Sequence, residues 1–336
     1  MKQKKVLSIH VLNFAGAPYD FGVWQGKSIN LNAYHFERTY QHINIDKATQ
    51  LIDKFSSDYL KELIGLADGA AISQETAIQL FSGYDTVIPA MGCSTYAASS
   101  HYVRNYDFND MLYDARFIFY KSSSGYASVG FSQQILGRLD GMNEKGLVIG
   151  LHFVNDNYAE EGFLATTICR LVLDQCATAE EAVKLIRKLP HKYCYNYSIL
   201  DRYGTTVIVE ASPDEQIAHY AESLQCTNHF NAETLQSWNK EKYEESLNRW
   251  QYLQAISKEK RSPIGDYHLF NDETSPLFYK HYEEFFGTLH TVVYCPENLR
   301  VIIGVGGNCK PYEFSLQDWL TGKEALPKTI KGQIDR

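Results

Sequence analysis

The sequence lacks a run of roughly eighteen or more apolar residues, so no membrane span is expected. It also lacks a CxxC pair, and its seven cysteines (Cys93, Cys169, Cys176, Cys194, Cys226, Cys295 and Cys309) are odd in number. Neither a disulfide framework nor a zinc knuckle is suggested, and a reducing, cytoplasmic setting is the simpler expectation. No long Lys/Arg run offsets the formal net charge of -8, which argues against a nucleic-acid surface. The short cluster "KEKR" at 258–261 reads as a solvated loop. The start "MKQKKVLSIHVLNFAGAPYD" is basic, but His10 and Asn13 interrupt its apolar stretch, so a signal peptide is not expected. HExxH is absent: His281 and His290 flank Glu283 and Glu284, and His10, His35 and His42 are scattered. No compact ligand set results, and neither a metal nor a cofactor is expected. No internal repeat or low-complexity linker divides the chain.

What is present is a globular composition, 44% hydrophobic and 21% charged over 336 residues, enough for one large domain or two ordinary ones. Residues 4–14 read as a strand, and "GAPYDFGVWQG" (16–26) as a turn feeding a helix over about 18–42. Leu51, Phe55, Tyr59, Leu60, Leu63 and Leu66 recur at helical spacing, which predicts one helix over about 46–64. From Cys93 the pattern becomes short, aromatic and β-branched: "CSTYAAS", "HYVRNYDF", "SSGYASVGFS" (123–132) and "GLVIGLHFV" (146–154) read as strands. "LDGMNEKG" (139–146) between the last two suits tight turns. Helices are expected at 163–175 and 178–189, the second capped by Thr178 with Glu181 three residues on. Strands follow at 195–201, 205–211 and 216–220, then a polar helical stretch at about 231–258. A closing hairpin pairs "TLHTVVYCP" with "NLRVIIGVG". The order predicts a layered α+β or α/β architecture.

The sharpest change falls at "MGCSTYAASSHYVRNYDFND" (91–110). In strand geometry Arg104 and Tyr106 face one way while Asn105 and Asp107 face the other. A twist or bulge is therefore expected if Arg104 and Asp107 are to serve one reacting cysteine. A guanidinium near Cys93 would favour a thiolate, and a carboxylate could hold an ammonium. That ammonium exists if Cys93 begins a processed chain. Attack of its thiol on the Gly92 carbonyl, then hydrolysis of the thioester, would free an α-amine with a pKa near ~8. Nucleophile and base would then belong to one residue. His101 is the nearest competing base, and a buried core thiol is the plain alternative.

With these motifs in view, the chain resembles N-terminal-nucleophile hydrolases of the acyl-coenzyme A:isopenicillin N acyltransferase type, related to choloylglycine (bile-salt) hydrolases and acid ceramidase. The segments that carry the likeness are "GAPYDFGVWQG" (16–26), "ELIGLADGA" (62–70), "GCS" (92–94), "RNYD" (104–107), "DGMNEKGL" (140–147) and "CTNHF" (226–230). They run in family order from about residue 14 to 306. The resemblance implies an α+β fold, a four-layer αββα sandwich. It also implies self-cleavage between Gly92 and Cys93. A helical segment, 1–92, would be released yet retained beside a catalytic segment, 93–336, the two forming one domain.

By position, Cys93 is the implied nucleophile and, through its amine, the base. Arg104 is an electrostatic and positioning group, Asp107 holds the amine, and Asn228 donates to the oxyanion. Where bile-salt hydrolases carry Gly-Leu-Asn-Phe this chain has "GLHF", so His152 takes the place of a second oxyanion asparagine. Arg249 in "SLNRW" matches a later Ser-x-x-Arg element, with a helix-surface arginine as its alternative. The implied activity is hydrolysis of a linear amide C–N bond in a small N-acyl substrate through an acyl-enzyme. Transfer of the acyl group to an amine, or a noncatalytic binding role for the same fold, are the alternatives. Homo-oligomerisation stays open.

Overall fold

The computed structural model describes residues 4–31, 43–155, 158–239, 243–284 and 286–335. The chain starts with strand β1 (Lys4–Gly16) and four helices, α1 (Pro18–Ser28), α2 (Ile45–Phe55), α3 (Ser57–Ala70) and α4 (Gln74–Phe81). Six strands follow: β2 (Gly92–Ala98), β3 (His101–Phe108), β4 (Arg116–Ser122), β5 (Ser128–Gln133), β6 (Gly137–Asn143) and β7 (Val148–Asn155). Helices α5 (Ala165–Gln175) and α6 (Ala179–Ile186) lead to β8 (Cys194–Leu200), β9 (Thr206–Ala211), β10 (Gln216–Ala221) and β11 (Ser223–Cys226). After α7 (Glu244–Ile256) and α8 (Pro263–Asn271) come β12 (Lys280–His281), β13 (Phe286–Cys295), β14 (Arg300–Val305) and β15 (Tyr312–Ser315). The chain closes with α9 (Leu316–Leu320) and β16 (Thr329–Asp335).

Two sheets stack face to face. The larger runs β10-β9-β8-β7-β6-β5-β4-β1-β16, and the smaller β11-β2-β3-β13-β14-β15 with β12 appended to β13. Helices α5 and α6 cover the outer face of the larger sheet, and α7 and α8 that of the smaller. This is the four-layer αββα sandwich. Tyr102, Tyr106, Phe131, Leu151, Val292 and Tyr294 lie between the sheets in one core. Val103, Val293 and Ile302 face the other way, against Leu253, Tyr267 and Phe270 of α7 and α8. Both faces of β2 and β3 are thus covered, and every residue of β3 is buried. Burying such side chains contributes about 1.5–3 kcal/mol each.

The N-terminal segment is built into this body rather than appended to it. Strand β1 pairs in parallel with β4 and antiparallel with β16. Helices α1 and α3 pack backbone to backbone at two glycine pairs. A Cβ on Gly22 would fall into the Glu62 carbonyl, and one on Gly65 into that of Tyr19. Gly26 and Gly69 repeat the arrangement one turn on, since residues four apart share a helix face. Only glycine allows so close an approach. A buried ion pair from Arg170 of α5 to Glu62 of α3 ties this helical pair to the rest.

Several local expectations change. The single helix over 46–64 is two helices, because Ser56 turns extended and its hydroxyl accepts from Tyr59 N–H, capping α3. "LDGMN" is strand β6 rather than turn, and only the following residues reverse the chain. Strands β4, β11, β12, β15 and β16 and helices α8 and α9 are additional to the elements expected from sequence. The C-terminal strand pairs with the first, so the β13–β14 hairpin is not the end of the fold. Residues 32–42, the later part of the first expected helix, lie outside the described residues with His35 and His42. So do residues 240–242 of the expected polar helical stretch.

Candidate active site

Cys93 is the second residue of β2, fully buried between the sheets, directly across from Tyr106 of β3. Three of its atoms meet three different polar side chains. Arg104 Nη2 donates to the sulphur at 2.8 Å. The backbone N–H donates to Asn228 Oδ1 at 3.0 Å, and the backbone carbonyl accepts from Arg249 Nη1 at 2.7 Å. Burial pushes the thiol up to about 12, against the pull of Arg104, while Asp107 pushes the same way as burial. In the intact chain the thiol is therefore protonated at neutral pH.

The β2–β3 ladder carries no bulge from Gly92↔Asp107 to Ala98↔His101. Strict alternation holds, and the expected distortion is not needed. Arg104 faces the other sheet, where it reaches Leu151 O on β7 and Asp140 on β6. Asp107 faces the opposite side, alongside Gly92. The two residues address different atoms: Arg104 the Cys93 sulphur, and Asp107 the strand position of Gly92. An irregularity does occur nearby on β13, between Thr288 and His290. Asp107 Oδ1 accepts from Thr288 Oγ1 at 2.6 Å, and Oδ2 is buried without a hydrogen-bond partner among the described residues. Burial raises its carboxyl above the usual range despite the Arg249 charge.

Asn228 follows β11 and is oriented by its neighbours. Its carbonyl oxygen accepts from Cys93 N–H and from Arg249 Nη2 at 3.0 Å. That sends its amide nitrogen the other way, to Phe153 O at 2.8 Å and Met91 O at 3.4 Å. Arg249, on α7, also donates to Ser94 Oγ at 2.7 Å and lies over the Tyr279 ring. It is a buried residue of the site, so the helix-surface alternative is overturned. Helix α7 packs on β2 and β11, which turns this side chain inward.

His152 on β7 is fully buried, and burial, then the Arg104 and Arg249 charges, hold its imidazole well below the usual value. It is neutral. Nε2 lies 2.9 Å from Ser198 Oγ, the ring also stands against the Cys93 backbone, and Nδ1 makes no full hydrogen bond among the described residues. His101 is at the far end of β3, its Nε2 bonded to Asp266 at 2.7 Å and its Nδ1 to Ser100, so it is no competing base for Cys93.

All six sequence-derived candidates thus converge on residues 92–94. The reading from sequence missed Asp140, Tyr294, His290, Thr288 and Ser246, the last accepting from Asn228 N–H at 2.8 Å. Asp140 sits inside the quoted "DGMNEKGL" segment, whose reading as a turn hid the inward-facing side chain. Among the described residues no group of three His, Cys, Asp or Glu side chains could hold a metal ion. No described helix is long and apolar enough to cross a membrane. Surface cavities of about 750, 560 and 390 Å³ open elsewhere, and Cys93 lines none of them.

A family model described as acyl-coenzyme A:6-aminopenicillanic acid acyl-transferase matches residues 96–310, beginning just after the candidate nucleophile. No curated protein matches in sequence. Among solved structures, the chain is similar to a mutant of conjugated bile acid hydrolase from Clostridium perfringens. The identity is 15%, covering 68% of this chain and 93% of that one, with a TM-score of 0.49. Penicillin V acylase from Agrobacterium tumefaciens is 17% identical, over 67% of this chain and 86% of its own, with a TM-score of 0.45. The Caenorhabditis elegans ortholog of N-acylethanolamine-hydrolyzing acid amidase is 13% identical, over 61% and 93%, with a TM-score of 0.41.

Proposed function

This chain belongs to the acyl-coenzyme A:6-aminopenicillanic acid acyl-transferase family, and from that premise we propose that it matures by cutting its own Gly92–Cys93 bond. It is a cysteine enzyme of the N-terminal-nucleophile class, acting on the amide C–N bond of N-acyl substrates. The observation that carries the assignment of residues is the contact of Cys93 sulphur, nitrogen and carbonyl oxygen with Arg104, Asn228 and Arg249 respectively.

In maturation the Cys93 sulphur attacks the Gly92 carbonyl carbon. The Gly92–Cys93 C–N bond breaks, the nitrogen keeps the bonding pair and takes a proton, and Gly92 is left as a thioester. Water then releases the Gly92 carboxyl and restores the thiol. Arg104 favours the thiolate, and Asp107, its carboxyl raised and its Oδ2 facing Gly92 outside the Thr288 bond, can hold a proton for the departing nitrogen. Residues 86–91 reach the site without regular structure, and Pro89 and Ala90 are exposed. Retention of 1–92 is supported by β1 within the larger sheet and by the Arg170–Glu62 pair.

In turnover the freed α-amine serves as base for the Cys93 thiol and Asp107 holds its protonated form. The sulphur attacks the substrate carbonyl, the amine leaves with a proton, and water hydrolyses the thioester. Asn228 Nδ2 stabilises the oxyanion. One of its hydrogens is engaged by Met91 O in the intact chain, so withdrawal of that segment would free a donor. Arg249 fixes which end of the Asn228 amide faces the reaction. His152, neutral, contributes an N–H as second donor. Passing the same thioester to an amine would give the acyl transfer that the family is described by. The seven unbridged cysteines support a reducing, cytoplasmic setting.

The test is intact mass of the purified protein before and after exposure to a panel of N-acyl amides, with and without an added amine. We expect a fragment beginning at Cys93, a covalent acyl adduct on it, and an uncleaved Cys93→Ala chain. Full activity from a chain with an intact Gly92–Cys93 bond would overturn the reading.

A further inference from the structure

Beyond the residues that touch Cys93, we propose that Asp140 is a positioning residue for the reaction, holding Arg104 so that Nη2 is presented to the sulphur. The proposal rests on Cys93 being the nucleophile. Arg104 starts on β3 in one sheet and crosses the sandwich. Its Nη1 donates to Asp140 Oδ2 on β6 in the other sheet, and its Nη2 is shared between Cys93 Sγ and Leu151 O. A guanidinium is planar, with its donors in a rigid fork. Once Nη1 is seated on a carboxylate, the direction of Nη2 is set. The Leu151 carbonyl alone would leave the fork free to turn.

Asp140 is itself held from three sides, all fully buried. Tyr294 Oη donates to Oδ1 at 2.6 Å. Oδ2 lies 3.6 Å from Nε2 of His290, too far for a hydrogen bond but close enough for the ring dipole to act. His290 stacks on Phe131 with centroids 3.7 Å apart, and its Nδ1 is 2.8 Å from Tyr113 Oη. Burial lowers the His290 value, so the ring is neutral; Tyr113 then donates to Nδ1 and the Nε2 hydrogen faces Asp140. Burial alone would raise the Asp140 carboxyl, but His290, Arg104 and Tyr294 together hold it below the usual range. A charged, immobile carboxylate therefore stands behind Arg104.

The carboxylate has two separable effects on the thiol. Its shape anchors the fork, and its charge offsets part of the Arg104 field at sulphur. Asp140→Asn keeps an oxygen acceptor for Nη1 but removes the offset, so the thiol should ionise at lower pH with most of the rate retained. Asp140→Ala removes the anchor. The thiol should then ionise at higher pH, and the rate should fall by about 10²-fold, the usual cost of a misplacement near 1 Å. The other titratable and charged groups around Cys93 are unchanged in both variants: Asp107 and Tyr106 from β3, His152 from β7, Cys169 from α5, Cys226 from β11 and Arg249 from α7.

The experiment follows self-cleavage by intact mass across neutral to alkaline pH in wild type, Asp140→Asn and Asp140→Ala. Chains that have already cut are followed by the pH dependence of Cys93 alkylation, counted by peptide mass. Opposite displacements of the two profiles, with activity rescued in the Asn variant, support the proposal. Profiles coincident with wild type, or equal losses with no displacement, would assign Asp140 a purely structural role and overturn it. Asp140→Asn is nearly isosteric, so it decides the charge effect even where the Ala chain fails to fold. A Cys93→Ala chain that still cuts and turns over would instead remove the nucleophile assignment beneath the proposal.

Discussion

Asp107 stands directly opposite Gly92 in the β2–β3 ladder, and a Cβ built on Gly92 would lie 3.0 Å from Asp107 Oδ2 and 2.7 Å from the tip of the Phe286 ring. The residue before the proposed nucleophile is therefore constrained by space as well as by chemistry. Gly92→Ala should displace the Asp107 carboxylate or the Phe286 ring, and self-cleavage should slow sharply while the chain still folds. Intact mass over time, with circular dichroism as a folding check, reads this directly. Cleavage of Gly92→Ala at the wild-type rate would remove the steric argument.

Asp107→Asn preserves shape and the Thr288 hydrogen bond while deleting the charge. If Asp107 holds a proton near the scissile nitrogen and later the Cys93 ammonium, both maturation and turnover should fall. The loss should exceed any change in thermal stability, because burial disfavours the charged carboxylate in the first place. Normal maturation and kinetics in this variant would exclude its grip on the amine.

Asn228→Ala should lose about 10²–10³-fold in kcat with a smaller change in KM, the usual result of deleting an oxyanion donor. His152→Asn should keep much of the activity, since an amide N–H can replace a ring N–H, and His152→Ala should be slower. Because the imidazole is held neutral, wild-type activity should show no inflection near the ordinary histidine value that disappears in His152→Asn. Steady-state and single-turnover kinetics of mature protein over pH decide the matter. Equal rates for His152→Ala and wild type would take His152 out of the mechanism.

Stability should have a broad optimum bounded by buried histidines and cysteines. Burial lowers His191 and His229 to about 4 from 6.5. Their folded state prefers the neutral ring, so the stability they contribute is present above about 6.5 and is lost as pH falls toward 4. Burial raises Cys176 and Cys194 from 9.0 to about 12. Their folded state prefers the protonated thiol, so that contribution is present below about 9 and is lost as pH rises toward 12. Thermal melts across this range should show both flanks. A Tm that does not change between pH 6.5 and 4 would contradict the acid side.

Much of this molecule could be read from local pattern. Alternation and period-3.6 spacing marked β1, α5, α6, β8, β9, β10 and the β13–β14 hairpin, because each repeats its signal within a few residues. The Thr178 cap was legible for the same reason: its hydroxyl accepts from Glu181 N–H, three residues away. The order of the short motifs placed Cys93, Arg104, Asp107 and Asn228 in one functional reading before any contact was known. Two of those motifs turned out to hold packing glycines: Gly22 and Gly26 meet Gly65 and Gly69, which no periodicity could pair.

The remainder is tertiary because its partners are far apart in sequence. Whether Arg249 was surface or site depended on which face of α7 met β2. That Arg104 and Asp107 could serve one residue from opposite faces followed from the unbroken β2–β3 register, with one facing the sulphur and the other the strand position of Gly92. Strand β16 carries few apolar residues, and it becomes a strand by pairing with β1 at the opposite end of the chain. Asp140 acquires its meaning only when the two sheets stack and Arg104 reaches across. Sequence by itself determined which chemical groups this chain carries and which local elements they ride on. Only the stacking of the sheets decided which groups meet, because backbone pairing and burial bring together residues that have no local reason to be neighbours.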